Sequence, residues 1–185
     1  MPSYLAKWEE LNLSFDGIAV GFLGSARQIE ITKEAILRFK GPDTKVLLDP
    51  IMGDDGRAYA TYTPEMCSRM GQLVGLADTI TPNVTESCIL TGRPYRRQGW
   101  KRKELEEMAR ELRSMGPERV VITGIREGGF ITNAVLDGDA ISFVKAKSAG
   151  DERPGTGDVF SSILAGDLVA GVPFAASVKK AALFV

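Results

Sequence analysis

Four short apolar runs punctuate this chain, GIAVGFLG, KVLLDP, DTITPN and RVVITG, each closed by a glycine or a polar residue. Apolar runs this short, without polar alternation, read as strands buried on both faces. Between and around them lie stretches with apolar residues at helical spacing. PSYLAKWEELN opens the chain as an amphipathic helix. SARQIEITKEAILRFKG follows, with Ser25 as its N-cap and Gly41 at its stop. PEMCSRMGQLVGLA, VTESCILTG and KRKELEEMARELRSMG continue the series, the last with charged residues on its outer face. GGFITNAVLDGDAISFVKA alternates around Asp137-Gly138 and predicts a hairpin. PGTGDVFSSILAG and PFAASVKKAALFV begin two further helices. Strand–helix alternation of this kind predicts an α/β fold, a mostly parallel sheet with helices on both faces. No repeat, linker or low-complexity tract divides residues 1–185, so a single domain is expected.

In such sheets ligands sit beyond the carboxyl ends of the strands. Asp49 follows one strand, Asn83 another, and Thr123 with Gly124 a third, all on one predicted rim. Asp49 there suits a hydrated Mg²⁺ or nucleotide phosphates. Asn83 and Glu86 have capping-box spacing, and the same pair would turn an amide and a carboxylate toward that rim. Asp54, Asp55 and Gly56 suit a tight turn.

Gly155 and Gly157 open a helix N-terminus, where bare N–H groups and the helix dipole favour an anion such as phosphate. Asp158 adds negative charge at that spot. It is either a base that deprotonates a hydroxyl while the N–H groups hold charge on a transferred phosphoryl group, or a plain helix cap. The chain contains no histidine, which removes Ser-His-Asp and Cys-His chemistry and histidine-ligated metals. A net charge of −1 gives no reason to expect a nucleic-acid or anionic-membrane partner. The basic cluster of Arg93, Arg96, Arg97, Lys101, Arg102 and Lys103 reads as a solvated loop and helix start. Cys67 and Cys88 are too few for a disulfide framework, and a cytoplasmic location is expected.

DPIMGDDGRAY, TPNVTE, VVITG and PGTGDVFSSILAG, in this order, resemble the ribokinase-like kinases. GFLGSARQIE ahead of DPIMGDDGRAY, and ATYTPEM after it, are similar to the vitamin B6 branch, the bacterial pyridoxamine and pyridoxal kinase type. The resemblance implies a three-layer sandwich and ATP-dependent phosphorylation of the 5′-hydroxymethyl group of pyridoxal, pyridoxine or pyridoxamine. It implies Asp158 as base and Gly155, Thr156 and Gly157 as anion hole. Asp49 would lie near metal and phosphates, and Asn83 and Glu86 would act through water and Mg²⁺. Thr123 would line the nucleotide phosphates, Tyr59 would reach them, and Phe22 is the local candidate for contact with the pyridine ring.

ATP and Mg²⁺ are the implied cofactors, and a monovalent cation and a homodimer are left open. The resemblance also implies that the fold is incomplete, without the family's N-terminal βαβ stretch and C-terminal helices. Two alternatives stand beside the B6 kinase. One is a hydroxymethylpyrimidine kinase. The other is a non-catalytic remnant that binds nucleotide, or a partner protein through an uncovered apolar edge.

Overall fold

The computed structural model describes residues 1–148 and 154–185. Helix α1 (Pro2–Glu10) precedes strand β1 (Gly17–Val20), helix α2 (Ala26–Phe39) and strand β2 (Lys45–Leu48). The short strands β3 (Gly53–Asp54) and β4 (Arg57–Ala58) lead to α3 (Pro64–Val74), β5 (Thr79–Ile80), α4 (Val84–Thr91) and α5 (Arg102–Arg113). Then come β6 (Arg119–Glu127), β7 (Phe130–Asp137), β8 (Ala140–Lys147), α6 (Thr156–Val169) and α7 (Phe174–Phe184).

Local chemistry sets most helix starts. The Ser25 hydroxyl accepts from the Gln28 N–H at 3.2 Å and the Thr63 hydroxyl from the Met66 N–H at 3.2 Å. Each satisfies an amide that the first turn leaves without a partner. Pro64 follows Thr63 at the first helical position, where its missing N–H costs nothing. Helix α4 ends at Gly92, whose φ of +67° is the left-handed conformation that stops a helix.

The main sheet has the order β1-β2-β5-β6-β7-β8. The first four strands run parallel, and β6, β7 and β8 form an antiparallel meander. The sheet expected from the alternation is therefore present, with its parallel part at one side and the Asp137-Gly138 hairpin at the other. Two details differ from the sequence reading. The RVVITG strand does not end at Gly124: it bulges between Ile122 and Ile125 and runs on to Glu127. The segment after Asp49, for which only a tight turn at Asp54, Asp55 and Gly56 is expected, forms the β3–β4 hairpin. There Asp55 and Gly56 both have positive φ, +47° and +81°, the pairing a two-residue hairpin turn needs.

Helices cover both faces. Beneath α2, α3 and α5, the fully buried Ile36, Met70, Leu73, Leu105, Met108 and Leu112 pack on Val46, Leu48 and Ile80 of the sheet. Beneath α6 and α7, Phe160, Leu164, Phe174 and Val178 pack on Leu47, Val121 and Val135 of the opposite face. The period-2 geometry of strands sends Leu47 and Leu48 to different layers. Helix α1 buries only Leu5. It is held by an aromatic cluster in which Trp8 and Phe39 lie 5.3 and 5.5 Å from Phe15, ring centre to ring centre. Among the described residues no helix is long and apolar enough to cross a membrane.

Candidate active site

Strands β2 and β5 end at one rim, and β6 passes it at Thr123. Asp49 leaves β2 with its N–H donating to the Val20 carbonyl at 2.8 Å, which ties the ends of β1 and β2 together. Its carboxyl is 6% exposed and is pushed up to about 6. Burial is the main cause, the charge of Asp158 adds to it, and the neighbouring Ser161 and Thr81 hydroxyls oppose it. The first turn of α6 stands over this carboxylate: a Cβ on Gly157 would lie 3.8 Å from Asp49 Oδ2. The Gly-x-Gly spacing thus leaves the backbone bare where it faces an acid.

Glu86 reaches the same rim from α4. Asn83 and Glu86 form the expected capping box: Asn83 Oδ1 accepts from the Glu86 N–H at 2.9 Å, and Glu86 Oε2 accepts from the Asn83 N–H at 2.7 Å. Glu86 Oε1 also accepts from the Met52 N–H at 3.1 Å, and Asn83 Nδ2 donates to the Gly53 carbonyl at 2.9 Å. These bonds dock the loop after Asp49 onto α4. Burial pushes the Glu86 carboxyl up to about 8, with the Asp49 charge as a further cause, while the N–H groups it accepts from pull the other way. The rim thus holds two buried carboxyls, both pushed up by burial, in a site that favours taking up positive charge.

Thr123 sits beside them. Its N–H donates to the Pro82 carbonyl at 2.9 Å, and it bridges in parallel to Asn83. Tyr59, 43% exposed, follows β4. Its hydroxyl is raised by burial and by the charges of Asp54, Glu86 and Asp49, so the ring lies within their field.

At the start of α6, Gly155 is the N-cap, with φ of +88°, and no side-chain cap hydrogen bond occurs there among the described residues. Asp158 lies in the exposed first turn and is not the cap, so the plain capping alternative is overturned. The reason is steric: the chain enters the helix in the left-handed region, which glycine tolerates. Asp158 instead lines a cleft of about 210 Å³ with Ala19, Gly21, Ser161 and Ser162. A larger hollow of about 420 Å³, sharing Ala19 and Leu47, runs on between β1 and α6. Phe22 is exposed rather than core, its ring centre 6.1 Å from that of Tyr62, and it is not among the walls of the Asp158 cleft.

The structure therefore brings Asp49, Glu86, Asn83, Thr123, Tyr59 and the start of α6 together, and leaves Phe22 to one side. Sequence reasoning missed Thr81 and Ser161, the hydroxyls that favour the ionised form of Asp49. Ser161 stands three residues after Asp158, hence on the same helix face, a signal that was available. Thr81 gave none beyond its place at a strand end. In the basic cluster, Arg93 pairs with Glu111 at 2.9 Å and Arg96 with Glu104 at 2.7 Å, and Arg102 stacks on Phe143.

The chain matches the phosphomethylpyrimidine kinase family over residues 10–185. It is 28% identical to a pyridoxine/pyridoxal/pyridoxamine kinase of Bordetella bronchiseptica, over 90% of this chain and 59% of that one. Among solved structures it resembles a provisionally assigned phosphomethylpyrimidine kinase from Bacteroides thetaiotaomicron, crystallised with pyridoxal. There the TM-score is 0.92 at 35% identity, over 98% of this chain and 65% of the other. The pyridoxal kinase of Lactobacillus plantarum gives a TM-score of 0.88 at 28% identity, over 98% and 64%. The chain thus spans less than two thirds of the length of each of these relatives. With the rim geometry, the ordered motifs and a family match over nearly every residue in agreement, this chain belongs to the phosphomethylpyrimidine kinase family.

Proposed function

We propose that this chain carries the phosphoryl-transfer centre of a kinase acting on a hydroxymethyl group of a pyridine, a B6 vitamer, with ATP as donor. The observation that supports it most is the meeting of a glycine-opened helix N-terminus with Asp158 in an open cleft and Asp49 beneath. Asp158 takes the proton from the substrate hydroxyl as the oxygen attacks the terminal phosphorus. The N–H groups of Gly155, Thr156 and Gly157 hold the charge that develops on the transferred group. Such chemistry is mostly positioning and electrostatics, which suits a chain without histidine.

The buried carboxyls of Asp49 and Glu86 suit a divalent cation, whose charge would offset the cost of burying their ionised forms. No cluster of three or more metal-ligating side chains occurs among the described residues. Two carboxylates completed by water and phosphate oxygens match the way Mg²⁺ is usually held. When bound, Mg²⁺ would neutralise charge on the ATP phosphates. Asn83 and Glu86 would orient its water, and Thr123 and Tyr59 would line the phosphates.

The pyridoxal found with the Bacteroides relative supports a pyridine substrate. The family description supports hydroxymethylpyrimidine as the second reading. Incubation with MgATP and pyridoxal, pyridoxamine or hydroxymethylpyrimidine, followed by detection of ADP and the phosphate ester, separates them. Asp158→Asn is expected to lower turnover by about 10²–10⁴-fold while nucleotide binding persists. Turnover of none of the three alcohols overturns the kinase reading, and full activity in Asp158→Asn overturns the role of the base.

A further inference from the structure

The β3–β4 hairpin is the arm from which Tyr59 projects, and it cannot hold itself. Each of its strands has two residues, paired only as Gly53 with Ala58 and Asp54 with Arg57. A ribbon this short has no independent stability in water. Its restraints come from outside. The Met52 N–H and the Gly53 carbonyl are held by Glu86 and Asn83, as described above. Two further contacts act at the turn itself.

The Gly56 N–H donates to Thr85 Oγ1 at 2.9 Å. Thr85 is 3% exposed and stands on α4 between Asn83 and Glu86. The Tyr95 hydroxyl, from the loop between α4 and α5, donates to Asp55 Oδ1 at 3.1 Å. The Tyr95 ring presses on Gly56 so closely that any Cβ there would overlap it. Arg97 adds a weaker contact to Asp55 at 3.6 Å. Beyond the turn, the Tyr59 N–H donates to the Met52 carbonyl at 2.9 Å, so the position of the turn is passed on to Tyr59.

We infer that Thr85 and Tyr95 are positioning residues, which clamp the Asp55-Gly56 turn from the two sides and so set where Tyr59 stands relative to Asp49 and Glu86. Neither would touch the nucleotide. They act through the arm, and α4 thereby carries both an acid of the site and the hydroxyl that holds the arm beside it. The inference rests on the kinase reading only where it gives Tyr59 a ligand.

The test uses the whole chain with Thr85→Val, which keeps the shape and removes the acceptor, Tyr95→Phe, which removes only the hydroxyl, and Thr85→Ser as the rescue. Amide hydrogen exchange is measured at Gly56 and Tyr59, with the α2 and α5 amides as reference, and MgATP affinity is measured in parallel. Loss of one hydrogen bond is expected to speed exchange at Gly56 and Tyr59 by about fivefold in each single variant. The reference amides stay unchanged and Thr85→Ser returns to wild-type exchange. The KM for MgATP rises by a similar factor, with kcat changed less than about twofold.

Unchanged exchange at Gly56 and Tyr59 in both variants overturns the clamp. So does an equal rise across the reference amides, which would mark a general loss of stability. If the wild-type chain binds no MgATP, the kinase reading fails, and the exchange data still decide whether the clamp exists.

Discussion

Asp49 and Glu86 set the pH behaviour of the folded chain. Both carboxyls are held above their ordinary values by burial, to about 6 and about 8, so the native state keeps protons that the unfolded chain gives up. Folding stability contributed by this pair is therefore present at low pH and is lost as pH rises, through about 4 to 6 for Asp49 and about 4.5 to 8 for Glu86. Glu104, Glu127, Asp139 and Asp167 shift the opposite way, and their effect is confined to acid conditions. The thermal midpoint without nucleotide is expected to decline from pH 5 to pH 8, and Glu86→Gln to flatten the upper half of that decline. A midpoint that climbs over this range would contradict the buried-pair account. The capping role of Glu86 was legible from its spacing to Asn83. Its burial against Asp49 was not, because the two lie on separate elements and meet only through the sheet.

Among the elements, α6 matters most, since it carries Asp158 at one end and the second core layer along its length. Leu164 is fully buried against the sheet. Leu164→Ala is expected to cost about 2–5 kcal/mol in urea unfolding, through lost burial and the cavity left behind. The start of α6 was visible in the sequence as glycines ahead of an apolar helix. The identity of its cap was not, because Asp and Gly both cap well and only the backbone angle at Gly155 decides between them. The β3–β4 arm shows the same division. The Asp-Gly pair announces a turn, but what holds that turn, Thr85 and Tyr95, comes from residues about 30 and 40 positions further along.

Across the whole molecule, the two edges of the sheet differ. Strand β8 carries Lys145 and Lys147, charges that discourage pairing with another chain. Among the described residues strand β1 pairs only with β2; it carries no charge and leaves Ala19 exposed beside the hollow under α6. Concentration-dependent self-association through β1 is expected in sedimentation experiments, and Ala19→Lys should suppress it. Association that survives this change would point to another surface.

Strand and helix positions, helix starts and the order of the motifs could all be read along the chain, because hydrophobic period and capping are short-range properties of neighbouring residues. The facing of Asp49 by Glu86, the exposure of Asp158 into a cleft, the displacement of Phe22 from that cleft and the hold on the β3–β4 turn came only with the tertiary structure. Each depends on sheet order and helix packing, which join residues distant in sequence and leave no local trace in it.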